Sequence, residues 1–126
     1  MIHDAAYYLK KGFLKAPLHF QFCMGCANGS PATTEDLVFM KSTLERVCPG
    51  STWSAFGVGK GAMEIMYAAI AAGGHIRVGM EDNVVDKKGV LAESNMQLIA
   101  RARRVIEEFG CEVATPDEAR QLLGLK

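Results

Sequence analysis

The chain has 126 residues, 49% of them apolar and 22% charged, and its 14 basic and 14 acidic side chains give a formal net charge of zero. This composition is typical of a single globular segment, residues 1–126, and it excludes a disordered chain and a general nucleic-acid binder, whose affinity comes from clustered Lys and Arg. The sequence contains no run of the ~20 apolar residues that a membrane span needs and no leader pattern, so we expect a cytoplasmic protein without a membrane partner.

The first half of the chain alternates helical and strand patterns. Residues 2–11 predict a helix, and residues 18–24 predict a strand that leads into a loop over residues 25–33, rich in Gly, Ser, Asn and Pro. A second helix begins at Thr34 and ends at the Pro-Gly pair 49–50. Its apolar residues recur at intervals of three and four and line one face: Leu37, Met40, Leu44 and Val47.

Two further strand patterns follow, separated by a helix. Residues 52–56 predict the second strand, and a glycine-rich turn over residues 57–61 leads into a helix over residues 62–72. That helix is apolar almost all round, which predicts burial on most sides. Residues 75–79 predict a third strand, and a looser stretch follows over residues 84–93.

Two helices are predicted for the last part of the chain. Ser94 and Gln97 have the spacing of a capping box, and the helix behind them ends at Gly110. The buried stripe of this helix is predicted to be Leu98, Ala102, Val105 and Phe109. The residues predicted to face water are Arg101, Arg104, Glu107 and Glu108. Thr115 and Glu118 repeat the start signal for a short final helix.

The order of these elements predicts an α/β fold. Strands separated by helices of this length pair in parallel through right-handed crossovers. Three parallel strands leave two open edges, and proteins normally cover or close such edges. The pattern therefore fits either a small open sheet or about half of a TIM (β/α)8 barrel, which usually has roughly 250 residues.

Charged residues cluster at the end of the third predicted strand. Arg77, Gly79 and Glu81 alternate onto one face, and Asp82 follows at the carboxyl edge, where parallel α/β sheets build their sites. An arginine partner favours the charged form of a carboxylate, and a carboxylate at that edge can bind a metal or accept a proton. A structural ion pair is the alternative, but the setting favours a functional site.

The turn after the second predicted strand matches the G-x-G-x-x-A pattern of dinucleotide binding. Gly57, Gly59 and Ala62 lie between the strand and the helix, and an acidic residue, Glu81, follows at the end of the next strand. This pattern keeps a nicotinamide-dependent oxidoreductase open as a function. A glycine turn at such a place is also common for packing reasons alone.

The cysteines Cys23, Cys26, Cys48 and Cys111 are too few and too irregularly spaced for a disulfide scaffold, so we expect reduced thiols. Cys23 and Cys26 form a C-x-x-C pattern, which suits a redox pair or half of a zinc site. A zinc cage needs two more ligands, and the other two cysteines have no partner at ligand spacing. We therefore expect small buried thiols in a turn.

Several segments of the chain, in this order and spacing, resemble the closing third of the β-keto acid cleavage enzymes, the family of 3-keto-5-aminohexanoate cleavage enzyme. The specific matches are GGHIRVGMEDN at residues 73–83, KGVLAESN at residues 88–95 and EVATPDEARQLLGL at residues 112–125. Weaker similarity covers residues 53–59 and the loop at residues 25–33.

This resemblance implies a zinc-dependent TIM barrel, roughly twice as long, that converts a β-keto acid and acetyl-CoA into acetoacetate and a new CoA thioester by a retro-Claisen reaction. It implies that Glu81 is a zinc ligand, that Asp82 is the general base, and that Arg77 is the arginine that partners this aspartate. The family's other zinc ligands are two histidines of an early H-x-H strand, a motif that this sequence lacks.

In a barrel of that kind, the turn containing Gly57, Gly59 and Lys60 is the seventh βα loop, and we expect it to contact phosphates of CoA. We expect the chain to be the C-terminal part of the enzyme, covering about three strand–helix units, with activity only beside a complementing half. Its expected partners are a β-keto acid, CoA, and either further copies of itself or the missing N-terminal half. A nicotinamide-dependent oxidoreductase and a non-catalytic, self-associating half-barrel remain the alternatives.

Overall fold

The computed structural model describes residues 1–125 and has mixed α/β architecture. Its first half contains helix α1 (Ile2–Lys10), strand β1 (His19–Met24), helix α2 (Thr34–Val47), strand β2 (Thr52–Gly57) and helix α3 (Ala62–Ala71). These five elements agree with the sequence prediction to within one residue at nearly every boundary. Helix α2 begins where expected because the Thr33 side chain accepts a hydrogen bond from the backbone of Asp36.

The second half contains strand β3 (His75–Ile76), strands β4 (Val85–Lys87) and β5 (Val90–Leu91), helix α4 (Asn95–Glu108) and helix α5 (Pro116–Leu123). Helix α5 begins with the capping box predicted from its sequence. None of the helices described over residues 1–125 is both long enough and apolar enough to cross a membrane.

The central sheet has the strand order β1-β2-β3, and all its pairings are parallel, as predicted. β1 and β2 pair along their whole length, from His19 opposite Thr52 to Met24 opposite Gly57. β3 pairs with β2 only at Ser54 opposite His75 and at the residue after it. Within the described part of the chain, β1 and β3 therefore each leave one edge unpaired.

The main core lies between the sheet and the helices α2 and α3. Its most deeply buried side chains come from β1, β2, α2 and α3 and include Met24, Leu37, Leu44, Ala55 and Ile65. Trp53 packs on Phe22 with ring centroids 5.6 Å apart. A second cluster joins α3 to α4 through Met66, Ile70, Ala102 and Val105. Burial of these apolar faces fixes the sheet on the two crossover helices.

The predicted third strand over residues 75–79 is too long. Regular pairing ends at Ile76, opposite Ala55, although β2 continues to Gly57, and the chain then forms a turn. The backbone N–H groups of Asp82 and Asn83 both bond to the carbonyl of Gly79. Arg77 and Glu81 are thus brought together by this turn, which the predicted strand alternation did not contain.

The stretch over residues 84–93 is more regular than predicted. It forms an antiparallel hairpin of β4 and β5, with Gly89 at a φ of +78° in the turn. Arg101, predicted to face water, instead pairs with the buried Asp86 at 2.7 Å, and its side chain is only 17% exposed. The prediction failed because the partner lies on the hairpin, which sequence periodicity had not identified.

The start of α4 also differs from its prediction. Ser94 occupies the N-cap position but makes no side-chain capping bond within the described residues, so no capping box forms. The Gln97 side chain instead accepts a bond from the backbone of Glu93. Phe109, predicted in the buried stripe, is 47% exposed at the end of the helix. Leu98, Ala102 and Val105 are buried as predicted.

Candidate active site

The candidate site is centred on Arg77, which follows the last paired residue of β3. Its guanidinium lies over the ring of Phe56, 4.3 Å from the ring centroid, in cation–π geometry. It donates hydrogen bonds to Oε1 of Gln21 at 3.2 Å, to Oε1 of Glu81 at 3.3 Å and to Oδ1 of Asp82 at 3.1 Å. The arginine thus joins β1 to the turn after β3 at the carboxyl edge of the sheet.

Asp82 is the more enclosed of the two carboxylates, with a side chain that is 13% exposed. Its Oδ2 atom lies 3.0 Å from Nη2 of Arg77, yet it is buried and has no well-aligned hydrogen bond from any described residue. The Asp82 carbonyl accepts the Gly59 N–H at 3.0 Å, which fixes the residue to the turn after β2. Both carboxylate oxygens therefore lie beside the same guanidinium nitrogen, and Oδ1 alone meets it in hydrogen-bond geometry.

Glu81 projects outward, and its side chain is 60% exposed. Its carboxylate folds back over Gly79, where even a methyl group would collide with the carboxylate atoms. Glycine at this position therefore lets Glu81 approach Arg77. The outward carboxylate is available to a ligand that approaches the carboxyl edge of the sheet.

Two asparagines shape the turn that carries these acids. The Asn83 side chain bonds to both the N–H and the carbonyl of Val85, so it links the turn to the hairpin. The Asn95 side chain accepts a bond from the backbone N–H of Met80 at 2.8 Å. Sequence reasoning missed Gln21 and Asn95 as members of this site. Gln21 could have been found from its place on β1, three residues before the strand's carboxyl end.

The turn from Gly57 to Gly61 lies next to the carboxylates of Glu81 and Asp82. A cavity of about 540 Å³ is lined by Gly59, Lys60, Glu81 and Asp82 together with residues of the hairpin. Side chains at Gly57 and Gly61 would collide with the backbone of this turn and with the loop before α2. Packing thus accounts for these two glycines without a dinucleotide. The Gly59 N–H already bonds to Asp82, and the Lys60 ammonium is one of the cationic groups at this cavity that can meet an anion.

Metal binding by this part of the chain is limited by the number of donors. Residues 1–125 contain no group of three or more His, Cys, Asp or Glu side chains that could together hold a metal ion. Glu81 has the exposure and the oxygen chemistry of a single zinc ligand. A complete zinc site would thus need further ligands from outside these residues.

The thiols differ from their prediction in one respect. All four cysteines are free, as predicted, and Cys48 is buried. Cys23 and Cys26, however, are exposed rather than buried, with their Sγ atoms 3.3 Å apart. Partial desolvation and the contact with Cys26 raise the pKa of the Cys23 thiol, and the nearby Asp82 acts in the same direction.

Comparison with known proteins places this chain in a family. The family model described as beta-keto acid cleavage enzyme matches residues 1–125. The chain belongs to the β-keto acid cleavage enzyme family. Among its curated relatives in this family, the 3-keto-5-aminohexanoate cleavage enzyme of Fusobacterium nucleatum is 48% identical over 126 residues, which is 100% of this chain and 44% of the relative.

Two further relatives are named for the same substrate and for a different one. The 3-keto-5-aminohexanoate cleavage enzyme of Acetoanaerobium sticklandii is 42% identical over 99% of this chain and 45% of its own length. The 3-oxoadipate:acetyl-CoA acetyltransferase of Cupriavidus necator is 40% identical over 99% of this chain and 44% of its own length. The chain thus spans less than half the length of these curated relatives.

Proposed function

We propose that this chain contributes the general base and one metal ligand to an enzyme of β-keto acid cleavage. The reaction takes a β-keto acid and acetyl-CoA and yields acetoacetate and a new acyl-CoA. The observation that supports the proposal best is the Arg77–Asp82 ion pair, because it holds an enclosed carboxylate at the carboxyl edge of the sheet, and Oδ2 of that carboxylate has no aligned hydrogen bond among the described residues. Membership of the family favours this function over a nicotinamide-dependent oxidoreductase.

Asp82 is proposed to accept a proton from the carbon between the keto and carboxylate groups of the substrate. Its Oδ2 atom, which has no aligned hydrogen bond among the described residues, is the atom proposed to take this proton, and the Arg77 guanidinium holds the carboxylate in place and balances its charge. Gln21 and Phe56 in turn position the guanidinium. The role of Arg77 is thus to orient the base and keep its geometry constant.

Glu81 is proposed as the residue of this chain that binds zinc, together with ligands that lie outside the described residues. Bound zinc would polarise the keto oxygen of the substrate and stabilise the negative charge that develops on it. The exposed Glu81 carboxylate and the enclosed Asp82 carboxylate are adjacent in sequence and share Arg77. This arrangement suits one metal ligand and one base acting on the same substrate molecule.

Lys60 is proposed to contact a phosphate of CoA at the rim of the 540 Å³ cavity. The cavity extends from the Gly59 turn past Glu81 and Asp82 to the lysines of the hairpin, Lys87 and Lys88. A phosphate on Lys60 would leave the thioester end of CoA free to reach the acids.

The sheet is proposed to be part of a TIM barrel, with this single segment, residues 1–126, as its C-terminal part. The unpaired edges of β1 and β3 within the described residues support this, because barrel closure would pair both edges. The helices α2 and α3 cover one face of the sheet, as in a barrel. Pairing with the rest of a barrel, or with further copies of the chain, would complete the sheet.

A chimera tests the proposed function. This chain would replace the 126 residues that it matches in the Fusobacterium relative, and acetoacetate formation from 3-keto-5-aminohexanoate and acetyl-CoA would be measured. We expect activity in the chimera and its loss after treatment with a chelator, with recovery on adding zinc. A folded chimera that forms no acetoacetate, beside an active parent enzyme, would contradict the proposal.

A further inference from the structure

The C-x-x-C pair lies next to the candidate site, and the cleavage chemistry proposed above uses neither thiol. Cys23 is on β1, two residues beyond Gln21 and on the same face, and its charged neighbours are Arg77 and Asp82. Cys26 follows in the turn after the strand. The Sγ atoms are 3.3 Å apart, and both residues are exposed in the described chain.

The turn between the two cysteines is held in place by its backbone. Gly25 has a φ of +85°, which favours glycine, and its N–H bonds to the Ser30 carbonyl at 2.7 Å. The Cys26 carbonyl accepts the Gly29 N–H at 3.0 Å. These bonds fix Cys26 above the end of β1. The short distance between the thiols is thus a property of the fold rather than of two free side chains that happen to meet.

We propose that Cys23 and Cys26 form a dithiol–disulfide redox site that reacts with low-molecular-weight disulfides. A disulfide requires an S–S distance of about 2.05 Å, so the two sulfur atoms need to approach by only about 1.3 Å. Cys48 is buried, and Cys111 lies near the end of the chain with its thiol directed at the Phe109 carbonyl. The pair is therefore the site of intramolecular oxidation in this chain.

The reaction proceeds by two thiol–disulfide exchanges. The thiolate of one cysteine attacks a sulfur of the small disulfide, forms a mixed disulfide and releases one small thiolate. The second cysteine then attacks the protein sulfur of the mixed disulfide, closes the Cys23–Cys26 bond and releases the second small thiolate. The protein loses two electrons and two protons, and the small disulfide gains them as two thiols. Because the attacking species is the thiolate, the rate increases as the pH rises above neutral.

Glutathione disulfide is the probe for this proposal. The reduced 126-residue chain would be incubated with glutathione redox buffers, and free thiols and peptide masses would be measured. We expect two thiols to be lost and one intramolecular bond between Cys23 and Cys26. The control Cys111→Ser is expected to lose the same two thiols. Cys23→Ser is expected to keep glutathione as a mixed disulfide on Cys26.

Measuring the same equilibrium in urea shows whether the fold, or only the short separation in sequence, brings the two thiols together. Because the turn fixes both thiols, the equilibrium constant for closing the disulfide bond should be at least about ten times larger in the folded chain than in urea. Equal constants in the two conditions would overturn the proposal. Mixed disulfides that persist on both cysteines of the wild-type chain, or bonds that form through Cys111, would also overturn it.

Discussion

The ion pair of Arg77 and Asp82 allows a direct energetic test. We expect a double-mutant cycle with Arg77→Met and Asp82→Asn to give a coupling energy of about 1–2 kcal/mol in favour of the native pair. Exposed ion pairs contribute about 0–1 kcal/mol, whereas breaking a buried pair costs about 3–5 kcal/mol. Here the Arg77 side chain is 38% exposed and that of Asp82 is 13% exposed, at a separation of 3.0 Å, so an intermediate value follows.

The cycle removes contributions that belong to only one partner. Arg77→Met also removes the cation–π contact with Phe56, but that loss occurs whether or not residue 82 is an aspartate, so it cancels in the coupling energy. The free energy of unfolding of the four chains would be measured by urea titration at neutral pH.

A second ion pair provides the matched control. Lys41 and Glu45 form an i,i+4 pair at 2.8 Å on α2, with Glu45 60% exposed, and the same cycle there should give about 0.3–0.5 kcal/mol. Raising the salt concentration should weaken the control pair more than the Arg77–Asp82 pair. A coupling at Arg77–Asp82 no larger than that of the control would refute the interpretation of the site as an enclosed charge pair.

Three further predictions concern stability. Burial and the neighbouring His75 lower the pKa of His19 below 6.5, so the unfolded chain binds more protons at acidic pH. Stability should therefore fall as the pH drops through about 6.5, and less steeply in His19→Gln, as measured by urea midpoints across this range. Gly74→Ala would place a methyl group 2.6 Å from Cζ2 of Trp53, and should cost about 1–3 kcal/mol and shift the tryptophan fluorescence; an unchanged midpoint would contradict this packing. Leu44→Ala, at a residue only 1% exposed, should cost about 2–5 kcal/mol by urea titration, and a cost below 1 kcal/mol would contradict its place in the core.

Local signals in the sequence were sufficient for most of the fold. The bounds of α2 follow from its cap at Thr33 and the Pro-Gly pair after it, and α5 follows from its capping box. Parallel pairing follows from the alternation of strands and helices. Parallel strands need a crossover connection, which is usually a helix, whereas short hairpins join antiparallel strands. Features that depend on tertiary contacts were missed: the early end of β3, the hairpin of β4 and β5, and the burial of Arg101 against Asp86.

The candidate site was predictable in its residues but not in its geometry. Arg77, Glu81 and Asp82 were identified from their order and place at a strand end, and the structure brings all three together. Sequence alone did not reveal that Asp82 is the enclosed carboxylate and Glu81 the exposed one, since that difference arises from the turn after Gly79. It also did not reveal Gln21, which reaches Arg77 across the sheet.

The role of Asp82 as the base is the central claim, and kinetics of the chimera test it most directly. The kcat/KM for acetoacetate formation would be compared between the chimera and its Asp82→Asn variant, with Asp117→Asn on α5 as the control because the Asp117 side chain is 89% exposed. We expect Asp82→Asn to lower kcat/KM by about 100-fold or more and Asp117→Asn to leave it unchanged. An Asp82→Asn chimera as active as its control would contradict the account.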